Sequence, residues 1–427
     1  MSDRRNELPR PPIKVPTFPP PHLLLWPGLR KGSALWRLRR AYRIAWRRRF
    51  AVRDYCRMGF ALLAWPPAAA VLAFRSTRAN GARYRRQTGV GLVSQFLAQA
   101  YLAIVHRMLP HYYYVFELQR PELFRRAAEY LTRTETKGGV YRALKQRENR
   151  HLLVHINDKL VFSAFSQKHK VRAVPVLAGF RAGARLADIG PAELPAGADL
   201  FVKPIEGRGG GGTESWQALP DRRYRNSHGV ESTLTALLDH VATLSKQGGE
   251  YLIQPRLTNH PDIADLTPGA LSTVRLLTIL NEAGEPEAVN AAFRMAISKT
   301  SPVDNFHAGG IAAAVDMQTG MLGPASGLGL GGDFAWHETH PLTGGRIVGR
   351  RLPDWRTAVD LAVAAHRLLA PRVIVGWDVG FLPDGPCLVE GNVGPDADIH
   401  QRVERRPVGN ARYGELLAFH LERRLGL

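Results

Sequence analysis

The stretch Gly376–Asn392, GWDVGFLPDGPCLVEGN, leaves a chain little conformational choice. Two short apolar runs flank Pro383-Asp384-Gly385, where Pro fixes φ and Gly supplies φ > 0, so the segment reads as a β-hairpin. With the turn centred on Asp384, Asp378 and Glu390 fall opposite each other on one face. Directly opposed strand residues hold their Cβ atoms about 4.5–5.5 Å apart. Side chains alternate along a strand, so Asn392 joins that face one step further on. Two carboxylates and an amide oxygen on a rigid hairpin suit a hard cation such as Mg²⁺. Without a cation the opposed carboxylates repel each other. A surface hairpin with solvated acids carries the same signature.

A second stretch handles charge of the opposite sign. In Asp199-Leu-Phe-Val-Lys-Pro-Ile-Glu-Gly-Arg-Gly-Gly-Gly-Gly-Thr213, a strand carries Lys203 into a glycine run. Gly207, Gly209, Gly210, Gly211 and Gly212 let bare backbone N–H groups approach phosphate oxygens, and let the loop close as a lid. Gly207, Gly209 and Gly212 satisfy GxGxxG formally. The residues that follow, Thr213-Glu-Ser-Trp216, read as a strand and not a helix, which removes the context a dinucleotide fold requires. No GK[ST] follows, so a Walker A loop is excluded. A mobile linker and a surface lysine remain the plainer alternative.

Further candidates surround these two stretches. Lys159 follows Asp158 at a helix start, where Asn157 or Asp158 serves as the cap. Arg275 and Arg294 lie on apolar strands, where a charge is costly unless paired; the Arg fork matches carboxylate or phosphate. Asp304-Asn305-Phe306-His307-Ala308-Gly309-Gly310 is a polar turn from which Asn305 and His307 could face a site, or in which Asn merely caps.

The chain has 427 residues, a net charge of +21 and 45% hydrophobic residues. That is enough for two or three domains, and too apolar for global disorder. The positive excess points to anionic partners: nucleic acid, a membrane surface or phosphorylated ligands. Eleven basic residues and one acid, Asp54, fall between Arg30 and Arg57. Cys56 and Cys387 support neither a disulfide framework nor a zinc site, so a reducing, cytoplasmic compartment is expected. The N-terminus, MSDRRNELPRPP, has no apolar core behind its charges and is not read as a secretory signal. The longest apolar run, Gly59–Phe74, is shorter than a spanning helix and Pro66-Pro67 interrupts it; no transmembrane segment is predicted.

In chain order, residues 1–28 read as a Pro-rich extended arm. Residues 33–50 read as a basic amphipathic helix with Leu35, Leu38, Tyr42 and Trp46 near one face. Contact of residues 30–57 with an anionic membrane, contact with nucleic acid, and a solvated helix face packed on the rest of the protein are all open. Residues 89–109 read as a buried helix ended by Pro110, His111–Phe116 as core, and Pro121–Leu131 as another helix. From Asn157 onward β-branched strands alternate with helices, an α+β pattern with mixed or antiparallel sheets. Trp355–Leu369 and Gly414–Leu425 read as amphipathic helices.

Taken in order, these motifs resemble the ATP-grasp superfamily. More narrowly they resemble the sugar-transfer-associated ATP-grasp family, also called alpha-L-glutamate-ligase-related. The resemblance covers about residues 110–405 and rests on YYYVFEL, NDKLVFSAF, HPDIADLTPGALSTVRLLT, VDNFHAGGI and VEGNVGPDADIH. It implies two α+β lobes clasping ATP, preceded by a basic helical region over 29–135. The ATP-grasp domain would span 136–427, with 150–198 leading, 199–260 as the lid lobe and 261–427 carrying the metal site. It implies that Lys159 and Lys203 contact phosphates and that Gly207–Gly212 form the lid. Gln254, Pro255, Arg256 and Leu257 would form the adenine-side hinge, and Asp262 or Asp265 would hold the ribose. Asn305 joins the nucleotide contacts. Arg294 would face the transferred phosphate, with Arg275 beside it as a catalytic candidate, and Asp378, Glu390 and Asn392 would bind Mg²⁺. The hinge departs from related ligases in having Pro255 and Arg256, where an acidic and an aromatic or apolar residue are commoner. The activity implied is ATP- and Mg²⁺-dependent ligation of a small-molecule carboxylate to an amine or thiol through an acyl phosphate, in a polysaccharide or amino-sugar pathway. A kinase of a hydroxyl acceptor and a non-catalytic basic adaptor with a decayed nucleotide site are the competing readings. Nucleic acid is not the expected partner, and the oligomeric state is open.

Overall fold

A computed structural model describes residues 29–47, 52–144, 156–191, 193–195, 197–205, 211–298, 304, 306–331 and 334–427. The expected Pro-rich arm, residues 1–28, lies outside them. The chain divides into two compact units. One, the helical unit, comprises residues 1–144, 328–335 and 396–427; the other, the sheet unit, comprises 145–327 and 336–395. The C-terminal residues 396–427 thus group with the N-terminal helices, whereas the sequence placed them in one domain with the strands.

The sheet unit holds two seven-stranded sheets in which every neighbouring pair is antiparallel. The first contains β1 (Ala178–Arg181), β2 (Ala184–Arg185), β3 (Leu200–Pro204), β4 (Glu214–Leu219), β5 (Arg223–Asn226), β6 (Glu231–Thr233) and β7 (Tyr251–Pro255), in the order β2-β1-β7-β3-β4-β5-β6. The helix Leu234–Gly248 covers it, its Leu237 and Val241 packing with Leu200, Val202 and Ile253. The second contains β8 (Thr273–Leu280), β9 (Pro286–Met295), β10 (Ile311–Val315), β11 (Leu322–Ser326), β12 (Trp336–His337), β13 (Ile374–Leu382) and β14 (Gly385–Asn392), in the order β12-β11-β10-β9-β8-β13-β14.

β13 is the centre of the second sheet's packing. Val375, Trp377, Val379 and Phe381 alternate along it and all join one core with the helix Trp355–Arg367, which offers the small residues Ala358, Ala362 and Ala365. The Trp377 indole Nε1 donates to Thr278 Oγ1 at 2.9 Å, so its one polar atom is satisfied inside that core. The opposite face carries Gly376, Asp378 and Gly380. A Cβ at Gly376 would stand 2.6 Å from the Pro395 Cβ, so only glycine fits there.

In the helical unit, α1 (Ala34–Arg47) buries Leu35, Leu38 and Tyr42 and packs on the C-terminal helix Arg412–Leu425. The Trp46 side chain, expected on that face, is not among the described residues. Arg37 pairs with Glu422 at 3.0 Å, and the buried Arg39 pairs with Glu135 at 2.6 Å while donating to the carbonyls of Ala128 and Tyr130. The apolar face of this basic helix is therefore spent on the unit's own core. Tyr112–Phe116 are buried, as the sequence predicts, with Tyr84, Tyr130 and Phe334 around them.

Three helix predictions change. The Pro66-Pro67 pair does not end the helix: α2 (Val52–Thr88) runs through it, with both prolines exposed. Residues 89–109 form α3 (Leu92–Val105), which buries Gln95, Gln99, Leu102 and Ala103 against α2 but leaves an apolar stripe outside. Pro121–Leu131 is broken into the turn Pro121–Phe124 and the 3-10 turn Ala127–Glu129.

Candidate functional site

The hairpin β13–β14 does place Asp378 opposite Glu390, and Gly376 opposite Asn392. It reaches that register by a different route from the one the turn suggests. Leu382 pairs with Gly385, so the turn is centred between Pro383 and Asp384, and from there Val379 pairs with Leu388. Continued unchanged, that register would set Asp378 against Val389. A β-bulge between Val379 and Asp378 takes up one extra residue on β14 and brings Glu390 into line.

Asp378 lies in the middle of a row of charges. Arg275 on β8 pairs with Asp378 in the ladder, and its guanidinium grips the carboxylate at both oxygens, 2.5 Å to Oδ1 and 3.1 Å to Oδ2. Arg294 on β9 reaches Asp378 Oδ2 at 3.0 Å. The four strands β9, β8, β13 and β14 are consecutive in the sheet, so Arg294, Arg275, Asp378 and Glu390 run across one face of it. Burial pushes the Asp378 carboxyl up, but the charges of Arg275 and Arg294 outweigh it and hold the group well below the usual carboxylate range. Asn392 Nδ2 donates to Glu390 Oε1 at 3.2 Å, which fixes the amide with its oxygen pointing away from the carboxylate.

Asp304 completes the anchoring of Arg294 and was not singled out by the sequence. Its Oδ2 accepts from the Thr273 backbone N at 2.8 Å and from Thr273 Oγ1 at 2.5 Å, and its Oδ1 stands 3.4 Å from Arg294 Nη2. Thr273 Oγ1 also accepts from Arg294 Nε at 3.2 Å. Burial raises the Asp304 carboxyl above its ordinary value, against the pull of Arg294. In the sequence Asp304 looks like one more polar turn residue, and only the ladder brings it to Thr273. Its neighbour Asn305 lies outside the described residues, and His307 is exposed.

The cationic half comes from the first sheet and the helix Lys159–Lys168. Lys203 is buried on β3. Burial lowers its amine to about 8, the charges of Glu390 and Asp378 pull it back up, and that of Lys159 lowers it further. Those influences put Lys203 within electrostatic reach of Lys159, Glu390 and Asp378. Asp158 caps the helix, accepting from Leu160 N at 2.8 Å and Val161 N at 3.1 Å. Lys159 Nζ then donates to the Ile205 carbonyl at 2.9 Å. Asn157, the alternative cap, instead accepts from the Val393 amide at 3.2 Å and ties down the residue after Asn392. Among the described residues no group of three or more His, Cys, Asp or Glu is placed to hold a metal. The candidate oxygen set is thus the one the hairpin supplies.

A family model described as sugar-transfer associated ATP-grasp matches residues 141–409. The chain belongs to that family. Solved structures with which it shares a likeness include the L-amino acid ligase from Bacillus licheniformis (12% identity, 64% of this chain and 48% of that one, TM-score 0.36). Others are the D-alanine-D-alanine ligase from Coxiella burnetii (10%, 64% and 59%, 0.33) and the N5-carboxyaminoimidazole synthetase from Staphylococcus aureus complexed with ADP (10%, 58% and 48%, 0.34). The chain thus spans only about half to three fifths of the length of these proteins. No curated protein matches.

The other positions that the ATP-grasp pattern marks are distributed unevenly. Gly207, Gly209 and Gly210 of the lid lie outside the described residues. Gly211 and Gly212 lead into β4, and Gly212 takes φ +72°, which glycine adopts freely. Gln254 is buried on β7 beside β3, its Nε2 donating to the Val174 carbonyl at 3.4 Å, and Pro255 ends the strand. Arg256 is held by Asp199, through its backbone N at 2.8 Å and its guanidinium at 3.3 Å. Leu257 packs with Val174, Leu382 and Cys387. Asp262 is largely exposed and stands beside His260, while Asp265 pairs with Arg350 at 2.8 Å. Neither acid is drawn to the Lys203–Glu390 group by any contact among the described residues.

Proposed function

We propose that this chain is an ATP- and Mg²⁺-dependent carboxylate–amine or carboxylate–thiol ligase working through an acyl phosphate, with a polysaccharide or amino-sugar precursor as substrate. The observation that carries the reading is the charged row Arg294–Arg275–Asp378–Glu390 across four adjacent strands, with Lys203 of the other sheet in electrostatic reach of its acidic end. Membership of the ATP-grasp family supplies the reaction class.

The residues fit a bound Mg²⁺. Glu390 and Asn392 are half-buried and present oxygen donors, the ligand chemistry of this ion. Asp378 already accepts two hydrogen bonds from Arg275 and pairs with Arg294, so Glu390 and Asn392 would be the principal ligands, with Asp378 as their supporting anion. When bound, the ion neutralises charge on phosphate oxygens. Lys203 and Lys159 orient the triphosphate. Arg294, fixed by Thr273, Asp304 and Asp378, stabilises the γ-phosphoryl group as the substrate carboxylate oxygen displaces ADP. The amine or thiol then attacks the acyl carbon and releases phosphate. A cytoplasmic location goes with this reading, since the reaction consumes ATP.

The test is ATP turnover against a panel of amino acids and uronic or amino sugars, with hydroxylamine present. A ligase gives a hydroxamate; ATP consumption with phosphorylated hydroxyl product and no hydroxamate would replace this reading with a kinase. Glu390→Gln is expected to keep the fold and lower turnover on the order of 10²–10³-fold. Near-normal turnover in that variant would remove the metal-site assignment.

A further inference from the structure

We infer that the α2–α3 hairpin is an interfacial membrane anchor, seated on a bilayer rich in anionic lipid. The reasoning starts from exposure. Phe60, Leu63 and Phe74 on α2 and Val93, Leu97 and Tyr101 on α3 are all solvent-exposed, Leu63 at 81% and Val93 at 71%. Most of the exposed large hydrophobic side chains among the described residues lie on these two helices. Their spacing is helical, so each helix carries a stripe and not scattered positions. The buried positions alternate with them: Trp65, Ala69, Ala73, Thr77 and Tyr84 on α2 face inward, and Trp65 Nε1 donates to the Ala103 carbonyl at 2.7 Å. Exposed apolar surface on this scale marks an interaction site.

Charge selects the occupant. The apolar half of α2 ends at Phe74 and gives way to Arg75, Arg78, Arg83, Arg85 and Arg86, all exposed. An apolar stripe beside a dense basic segment suits lipid tails under phosphate headgroups. A second copy of a chain with net charge +21 would bring like charges together at the same face. Residues 59–88 form a helical segment long and apolar enough to cross a membrane by length and composition. Its two halves argue against crossing. The C-terminal half carries the arginines, and Tyr84 packs edge-on to Tyr114 and Phe334 in the aromatic core. The apolar half alone is shorter than the roughly 30 Å of hydrocarbon that a bilayer presents. The basic helix α1, which the sequence offered as the membrane contact, has its apolar face buried, so the surface moves to α2 and α3.

The test is flotation of the full chain with vesicles of phosphatidylcholine alone and with added phosphatidylglycerol. Binding is expected only with phosphatidylglycerol and is expected to weaken as salt rises. Leu63→Glu with Leu97→Glu should each lower it about tenfold or more, and Arg75→Glu with Arg78→Glu should abolish the preference for anionic lipid. Both pairs are exposed, and an unchanged thermal melt shows that the fold survives. Release from membranes by alkaline carbonate supports an interfacial seat. Carbonate resistance, equal binding to neutral vesicles, or a dimer that Leu63→Glu splits without any vesicle binding would each overturn the inference.

Discussion

Lys203 gives the sharpest prediction, because its two roles respond to pH with opposite signs. The amine is buried and lowered to about 8 from an ordinary 10.5. That difference corresponds to about 3 kcal/mol favouring the neutral form in the folded protein. If Lys203 holds the triphosphate, it must be protonated to do so. Affinity for ATP in the free protein should then be flat below pH 8 and fall above it, about tenfold weaker by pH 9. Folding stability should move the other way. The unfolded chain holds this proton up to 10.5 and the folded one only to about 8, so the unfolded state binds more protons between those values and stability rises with pH across them. The groups that act on the amine are Glu390, Asp378 and Lys159, so the limb is a property of this cluster. The assay is a fluorescent-nucleotide titration from pH 6.5 to 10, paired with urea unfolding over the same range. Lys203→Met should bind weakly, show no limb, and lose the rise in stability. Wild-type affinity that stays level to pH 9.5, or the same limb in Lys203→Met, would refute the assignment.

Other predictions follow from the same geometry. Asp378→Asn leaves the mostly covered Arg275 without its counter-charge and Arg294 with Asp304 alone, and should cost about 3 kcal/mol in urea unfolding; an unchanged midpoint would mean that the pairs carry no stability. Gly376→Ala sets a Cβ 2.6 Å from the Pro395 Cβ, where a ring cannot step aside, and should destabilise by about 1–3 kcal/mol, read as a lowered melting temperature. In the helical unit, burial and then the nearby Asp396 push the Asp398 carboxyl up to about 7 from 3.8. A raised acid makes folding take up a proton, so its stability contribution is full below 3.8 and is lost as pH rises through 7. Asp398→Asn should therefore flatten the pH dependence between 4 and 7 and raise the melting temperature at pH 8.

The hairpin, the charge balance and the order of motifs were legible in the residues alone. Pro383 and Gly385 dictate a reversal of the chain, and strand alternation puts Asp378, Glu390 and Asn392 on one face, because both are local properties of the backbone. The strand after the glycine run was legible for the same reason, as were the helices Trp355–Arg367 and Arg412–Leu425 to within a few residues. Features that depend on partners distant in the chain emerge only in the folded molecule. The bulge that aligns Glu390 with Asp378 arises from the ladder and not from the turn. Asp304 acquires its role only when β8 carries Thr273 and β9 carries Arg294 to it. The helices gave the clearest reversal: α1 and α3 both look amphipathic or apolar in sequence, yet α1 spends its apolar face on the core and α3 keeps a stripe outside. Periodicity states that a face is apolar; which surface it meets depends on elements hundreds of residues away.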